Sequence, residues 1–373
     1  MSASVEKRFS GTEPYEAKIG PKTETKSSPQ QRESQQGTLS AVPGEQKDLP
    51  PIPELNEDPF EKLSEETEKL RQEHINTARD LKFRNALENF KNKEGVLEID
   101  IANSDIFSNV EYLTRGTSLV LKGTIKESGI TVVLKPEAKA CIPGKDQYNT
   151  EMAELILERH INHTSTPPIE HGNILLDGAP FKGTIQEFVP GKNFSELSKT
   201  EVEDFYKNNL EDMERLAFLD MLGLMGDNHQ DNCIVTKENK PATIDRGLSL
   251  DPKSRKFRSF PARDLSRASK YSNSLKKARE IDPYIQVEPG ELLIYENQEN
   301  PGSLDNHPEL KEKITQLANG DKSLFDLLGL YVSQDKLTLI MNQAKMILEN
   351  PSIQESFEAN QKLHGILPLP YYQ

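Results

Sequence analysis

Cysteine is scarce in this 373-residue chain, which has only Cys141 and Cys233. Two cysteines cannot build a disulfide framework, and these two lack the spacing of a metal knuckle. A reducing compartment is the simplest setting. Long apolar runs are missing as well. None approaches the roughly 20 residues that span a bilayer, and the opening MSASVEKRFSGTEPYEAK holds no hydrophobic segment of signal-peptide type. No transmembrane segment is expected, and any export would not use an ordinary cleaved signal. Positive charge is in deficit: 46 Lys and Arg against 60 Asp and Glu leave a formal net charge of −14. That balance argues against a nucleic-acid partner.

What is present changes along the chain, whose length suits one two-lobed domain with a tail. Residues 1–55 are Ser, Gln, Glu, Lys, Thr and Pro with scattered apolar positions, ending near DLPPIPE. Such a composition buries too little surface to offset its ordering entropy, so a disordered leader is expected. A flexible polar leader on a folded core also suits a secreted bacterial effector working in a host cytosol. Residues 56–95 are rich in helix formers, with a thin apolar stripe of Leu63, Leu70, Phe83, Leu87 and Phe90. A polar helix packing on the core is predicted there.

Residues 96–190 read as a small β-rich lobe. VEYLT, SLVLKGTI and ITVVLK, separated by RGTS and KESG, predict an antiparallel meander. NTEMAELILERHIN has helical period, and PFKGTIQEFVPG reads as a further strand. Residues 191–373 are predicted to be mostly helical, with LFDLLGLYVSQDKLTLIMNQAKMIL as core. The fold class is therefore α+β, a small β-rich N-lobe followed by a larger helical C-lobe.

The chemistry gathers in MGDNHQDNCIVTKENKPATIDRGLSL, residues 225–250, which holds three Asp and three Asn beside apolar runs. Carboxylates there are costly to desolvate unless a cation meets them. CIV and ATI predict a small hairpin, with Asn232 at its entrance and Asp245 at its exit. A transferring γ-phosphoryl spreads negative charge. Its enzyme needs a divalent metal held by an Asp and an Asn, and another Asp to orient the attacking hydroxyl. Asn232 and Asp245 suit the metal, Mg²⁺ or Mn²⁺, and Asp227 suits the hydroxyl. Lys135 at the end of the third meander strand and Glu151 at the start of the next helix supply a phosphate-binding cation and its holder.

The pieces LKP, TEMAELILERHIN followed by PPI, TIQEFVPG, and GDNHQDN with IDRGLSL resemble the phosphatidylinositol 3-/4-kinase branch of the protein-kinase-like superfamily. That branch includes actin-fragmin kinase, with the HipA kinases more distant. The resemblance covers about residues 105–260. It implies a two-lobed kinase fold with ATP in the cleft. Lys135 would bind the α/β-phosphates, Glu151 would pair with it, Asp227 would act as base, and Asn232 and Asp245 would hold the metal. Gly116 is the candidate phosphate-covering turn, Gln186, Glu187, Phe188 and Val189 the hinge, and His229 a structural or phosphate-contacting residue. The family's D-R-H-x-x-N reads DNHQDN here, with Asn228 in place of Arg. In I-D-x-G, Arg246 fills the variable position before Gly247.

Residues 252–279 carry ten Lys or Arg and a single Asp. Beyond a solvated basic loop, this segment suits a polyanion: a phosphoinositide headgroup, an activating inositol phosphate or an acidic protein substrate. Lys253, Arg255, Lys256 and Arg258 lie nearest the metal motif. The expected function is ATP-dependent phosphate transfer to an alcohol, with a protein Ser/Thr hydroxyl slightly favoured over a phosphoinositide. Two other readings have less support. One is a nucleotide-binding pseudokinase scaffold. The other is a metallophosphoesterase, for which GDNH fits but a G-N-H-[DE] element is lacking. Cys233, in an apolar run, is expected to be buried packing.

Overall fold

The computed structural model describes residues 63–113, 119–136, 147–251, 257–281, 294–295, 298 and 300–364. The expected leader lies outside them. Helix α1 (Glu65–His74) starts at Ser64, whose hydroxyl accepts from the Thr67 amide. Helix α2 (Ala78–Leu87) starts at Thr77, which shares a reciprocal capping box with Asp80. The single helix predicted for this region is thus two helices, because Thr77 and Asp80 satisfy a fresh set of helix N–H groups. Phe83 and Leu87 of α2 do pack on the core.

Four strands follow: β1 (Glu98–Asp100), β2 (Phe107–Leu113), β3 (Val120–Ile125) and β4 (Thr131–Pro136). Helix α3 (Gln147–His160) leads to β5 (Ile169–Leu176) and β6 (Ala179–Glu187). They form one six-stranded sheet in the order β1-β5-β6-β4-β3-β2. The β2–β4 meander is antiparallel, as the alternation predicts. β5 was not foreseen. It joins β6 through Asp177-Gly178, both at positive φ (51° and 79°), the conformation that Asp-Gly favours in tight hairpins.

The chain then forms β7 (Gly191–Asn193), α4 (Lys199–Asn208), α5 (Leu210–Leu222), and the hairpin β8 (Cys233–Thr236) and β9 (Pro241–Thr243). β7, β8 and β9 make a second, antiparallel sheet. Helices α6 (Phe260–Ile281), α7 (Pro308–Ala318), α8 (Lys322–Leu328), α9 (Gln334–Glu349) and α10 (Ile353–His364) complete the chain. From Leu216 to Leu222 every side chain of α5 is buried, which places that half of the helix inside. α5 packs against α6, α9 and α10. Leu310, Ile314, Phe325, Leu337, Ile340 and Ile347 join the same core as Leu216, Phe218 and Leu219. The stretch 324–348 therefore joins the core, as its apolar spacing predicts. No helix among the described residues is long and apolar enough to cross a membrane.

The basic segment is not one loop. From Phe260 onward it is the helix α6, which buries Phe260, Ala262, Leu265 and Ala268. Six of its ten cations lie along that helix, because apolar residues spaced through the stretch have a core to meet.

Candidate active site

Strand β4 alternates its side chains. Val132 and Leu134 enter the outer apolar core, so Val133 and Lys135 point to the opposite face. Thr184 of β6 sits opposite Lys135 in the register. Lys135 Nζ donates to Glu151 Oε1 at 2.8 Å and to Asp245 Oδ1 at 2.6 Å. Thr184 Oγ1 donates to Glu151 Oε2 at 3.4 Å. A strand, a helix and a loop thus converge on one ammonium group.

The three charges differ in exposure. Lys135 and Glu151 are nearly sealed, whereas the Asp245 side chain is 55% exposed. Burial works against the Lys135 charge, but Asp245 and Glu151 outweigh it and raise its pKa. Burial raises the Glu151 pKa, against the pull of Lys135. The Asp245 carboxyl is held below its ordinary range by Lys135. Its backbone is left-handed, at φ 56° and ψ 46°, a conformation that a non-glycine residue adopts only when its surroundings hold it there.

The hairpin forms as predicted. Ile244 N donates to Asn232 O at 2.9 Å, which places Asn232 beside the chain that delivers Asp245. Asn232 Nδ2 donates to the Asp227 carbonyl at 2.9 Å. That bond assigns the amide nitrogen to the loop and leaves the side-chain oxygen as the donor atom for a cation. Among the described residues no group of three or more His, Cys, Asp and Glu gathers to hold a metal. One carboxylate and one amide oxygen fit Mg²⁺ or Mn²⁺ when phosphate oxygens and waters supply the remaining ligands.

Asp227 accepts from Arg258 Nη1 at 2.9 Å. Backbone bonds fix that arginine on both sides: Arg258 N to Met225 O at 2.8 Å, and Asn228 N to Arg258 O at 2.9 Å. His229 Nδ1 accepts from the Asp231 amide at 3.2 Å. Cys233 is buried, and burial pushes its thiol up to about 12. Gly116, Lys253, Arg255 and Lys256 lie outside the described residues.

The candidate hinge residues have distinct places. Gln186 lies within β6 opposite Val133, and Glu187 pairs with Arg79 at 2.6 Å. The Glu187 and Phe188 amides already donate to Pro168 O and Thr131 O. The Phe188 ring lies under Lys122 Nζ, 4.3 Å from its centroid. Val189 packs with Ile234 and Ala242, and Ile244 lies against them. A cavity of about 540 Å³ is also lined by Val189, together with Arg79, His163, Pro190 and Lys240, and none of Lys135, Glu151, Asp227, Asn232 and Asp245 borders it.

Several residues were not foreseen. Glu154 and Glu158 follow the foreseen Glu151 on α3 at spacings of three and four, and all three are buried. Glu154 meets Arg246 at 2.8 Å. Glu158 accepts from the amides of Ser165 and Thr166 and pairs with Arg159. Burial alone would raise the Glu158 pKa, but these partners pull it down to about 2. The pattern E-x-x-E-x-x-x-E inside an apolar helix was the available signal, since glutamates on that spacing share a face.

No protein-family model matches the chain, and no curated protein matches it. Among solved structures, an apo pseudokinase aligns with 73% of this chain and 98% of its own, at 13% identity and a TM-score of 0.31. The pseudokinase drought responsive inactive kinase 1, co-crystallised with ENMD-2076, aligns with 74% of this chain and 98% of its own, at 12% identity and a TM-score of 0.31. At that level the likeness assigns no activity to this chain.

Proposed function

We propose that the protein is an ATP-dependent phosphotransferase acting on an alcohol. The observation that carries this is the meeting of Lys135, Glu151 and Asp245, at 2.8 and 2.6 Å, with Asp227 and Asn232 in the adjoining loop. Lys135 would bind phosphate oxygens, and Glu151 keeps its ammonium aimed into the cleft. Asn232 and Asp245 would hold Mg²⁺ or Mn²⁺, which when bound neutralises phosphate charge. Asp227 would orient the acceptor hydroxyl and take its proton. Val189, Ile234 and Ile244 offer an apolar surface on which an adenine ring would rest.

A protein Ser/Thr hydroxyl is the favoured acceptor. The motif resemblance to the phosphatidylinositol 3-/4-kinase branch supports a phosphoinositide as the second reading. The cations of the basic segment would serve either an acidic substrate or an activating inositol phosphate. A scaffold without turnover is the third, and the intact set of five residues speaks against it. Incubation with γ-labelled ATP and Mg²⁺ or Mn²⁺, with protein acceptors beside phosphoinositide liposomes, tests all three. Label on one acceptor class, lost in Asp245→Ala, is the expected result. No transfer to either would sink the enzymatic reading.

A further inference from the structure

Arg246 follows the half-exposed Asp245 directly, yet its side chain is buried between α3 and α5. Its Nη2 and Nε donate to Glu154 Oε2 at 2.8 and 3.2 Å, and its Nη1 donates to Asp220 Oδ1 at 2.9 Å. Glu154 lies one turn beyond Glu151 on α3, and Asp220 lies near the end of α5. The other Asp220 oxygen accepts from Asn228 Nδ2 and from Ser259 Oγ, both at 2.6 Å. One carboxylate therefore gathers a donor from the loop after Asp245, one from the loop after Asp227, and one from the residue after Arg258. The Arg246 side chain is 2% exposed, and those of Glu154 and Asp220 are fully sealed.

Glycines make the space. A Cβ at Gly223, which caps α5, would lie 1.9 Å from Glu154 Oε1, so no larger residue leaves room for that carboxylate. A Cβ at Gly247 would lie 2.9 Å from Gln147 Cβ, so this glycine lets the loop after Asp245 press against the start of α3.

We propose that Arg246 is a positioning residue that couples helix α3 to the loops bearing Asp227 and Asp245; this rests on the phosphotransferase reading. Charges sealed from water are tolerated only when well paired, and a planar guanidinium pairs with two carboxylates in few geometries. The fork on Glu154 sets the rotation of α3, and with it the place of Glu151 under Lys135. The same guanidinium anchors the backbone that holds Asp245 in its left-handed conformation. Through Asp220 and Asn228 it also fixes the turn that presents Asp227. Asn228, the departure from the resembled motif, and Arg246, which fills its variable position, thus meet at one buried carboxylate.

The test replaces Glu154 and Arg246 together by Met, which removes that buried pair as a unit while Asp220 keeps Asn228 and Ser259 as hydrogen-bond donors. With folding checked by thermal melting, the maximal rate of phosphate transfer is expected to fall about 100-fold while the acceptor KM moves less than about threefold. Backbone amides over residues 147–160 are expected to exchange at least about tenfold faster in the nucleotide-free protein. Arg246→Lys keeps the charge without the fork, and is expected about tenfold below wild type. A folded double variant with transfer within about threefold of wild type and unchanged exchange in α3 overturns the proposal. If the double variant does not fold, Arg246→Lys decides: full transfer with unchanged exchange overturns the proposal, and the intermediate loss with faster exchange supports it. A wild type that transfers no phosphate would end the phosphotransferase reading, and the exchange comparison would still decide the coupling.

Discussion

Two groups built from the same parts, one cation and two carboxylates, lie one helical turn apart on α3. At Glu151 the cation is Lys135 and the second carboxylate, Asp245, is 55% exposed. At Glu154 the cation is Arg246 and the second carboxylate, Asp220, is fully sealed. Solvent separates their roles. An exposed carboxylate can exchange Lys135 for a metal cation, leaving the ammonium to phosphate oxygens, at modest cost, because water screens the intermediate states. A sealed one cannot release its partner without leaving a bare charge in a medium that solvates it poorly. The open group is suited to chemistry and the closed one to holding shape.

The contrast breaks most visibly if each group loses a carboxylate. Asp220→Ala leaves Arg246 Nη1, Asn228 Nδ2 and Ser259 Oγ without their acceptor, and is expected to cost about 3–5 kcal/mol in denaturant unfolding. Glu151→Ala is expected to cost less in stability and to slow phosphate transfer about 100-fold, since Lys135 loses its fixed aim. Equal stability losses with transfer untouched in Glu151→Ala would erase the distinction.

A pH titration sharpens the same comparison at the closed end of α3. Burial holds the His160 pKa down to about 4, from an ordinary 6.5, and lowers that of His163 as well. Below pH 6.5 the unfolded chain binds protons that the folded His160 refuses until about pH 4. Stability therefore falls as pH drops through that window, by about 2 kcal/mol at pH 5 for His160 alone. A denaturation midpoint that is flat between pH 7 and 5 would show these rings to be solvated.

Arg258→Ala has the smallest expected effect. Its pair with Asp227 is about one-third exposed on both sides, so stability should move by no more than about 0.5 kcal/mol. Transfer should fall about tenfold, because the carboxylate proposed to orient the hydroxyl loses a fixed neighbour. A rise in transfer would mean that Arg258 restrains the site.

Much of this was legible in the sequence for local reasons. The β2–β4 meander and the β8–β9 hairpin follow from alternation between turn residues, and α3 from its 3.6-residue period. Lys135, Glu151, Asp227, Asn232 and Asp245 were singled out because their order and elements matched a known chemical need. Asp177-Gly178 was equally local and was passed over, and with it β5. The Arg246 network was hidden for a different reason. Its partners are 92 and 26 residues away, and a glutamate among helix formers carries no mark of burial. The basic segment misled because its charge count masked the apolar spacing that makes α6.

Nucleotide titration into wild type and Asp245→Ala, with and without Mg²⁺, tests most directly whether the open group trades its partners. Wild type should bind ATP at least about tenfold more tightly with Mg²⁺ than without, and the variant should show no such difference. ATP binding that ignores the metal in wild type, or metal dependence that survives in Asp245→Ala, would contradict the assignment of Asp245 and of the site built around it.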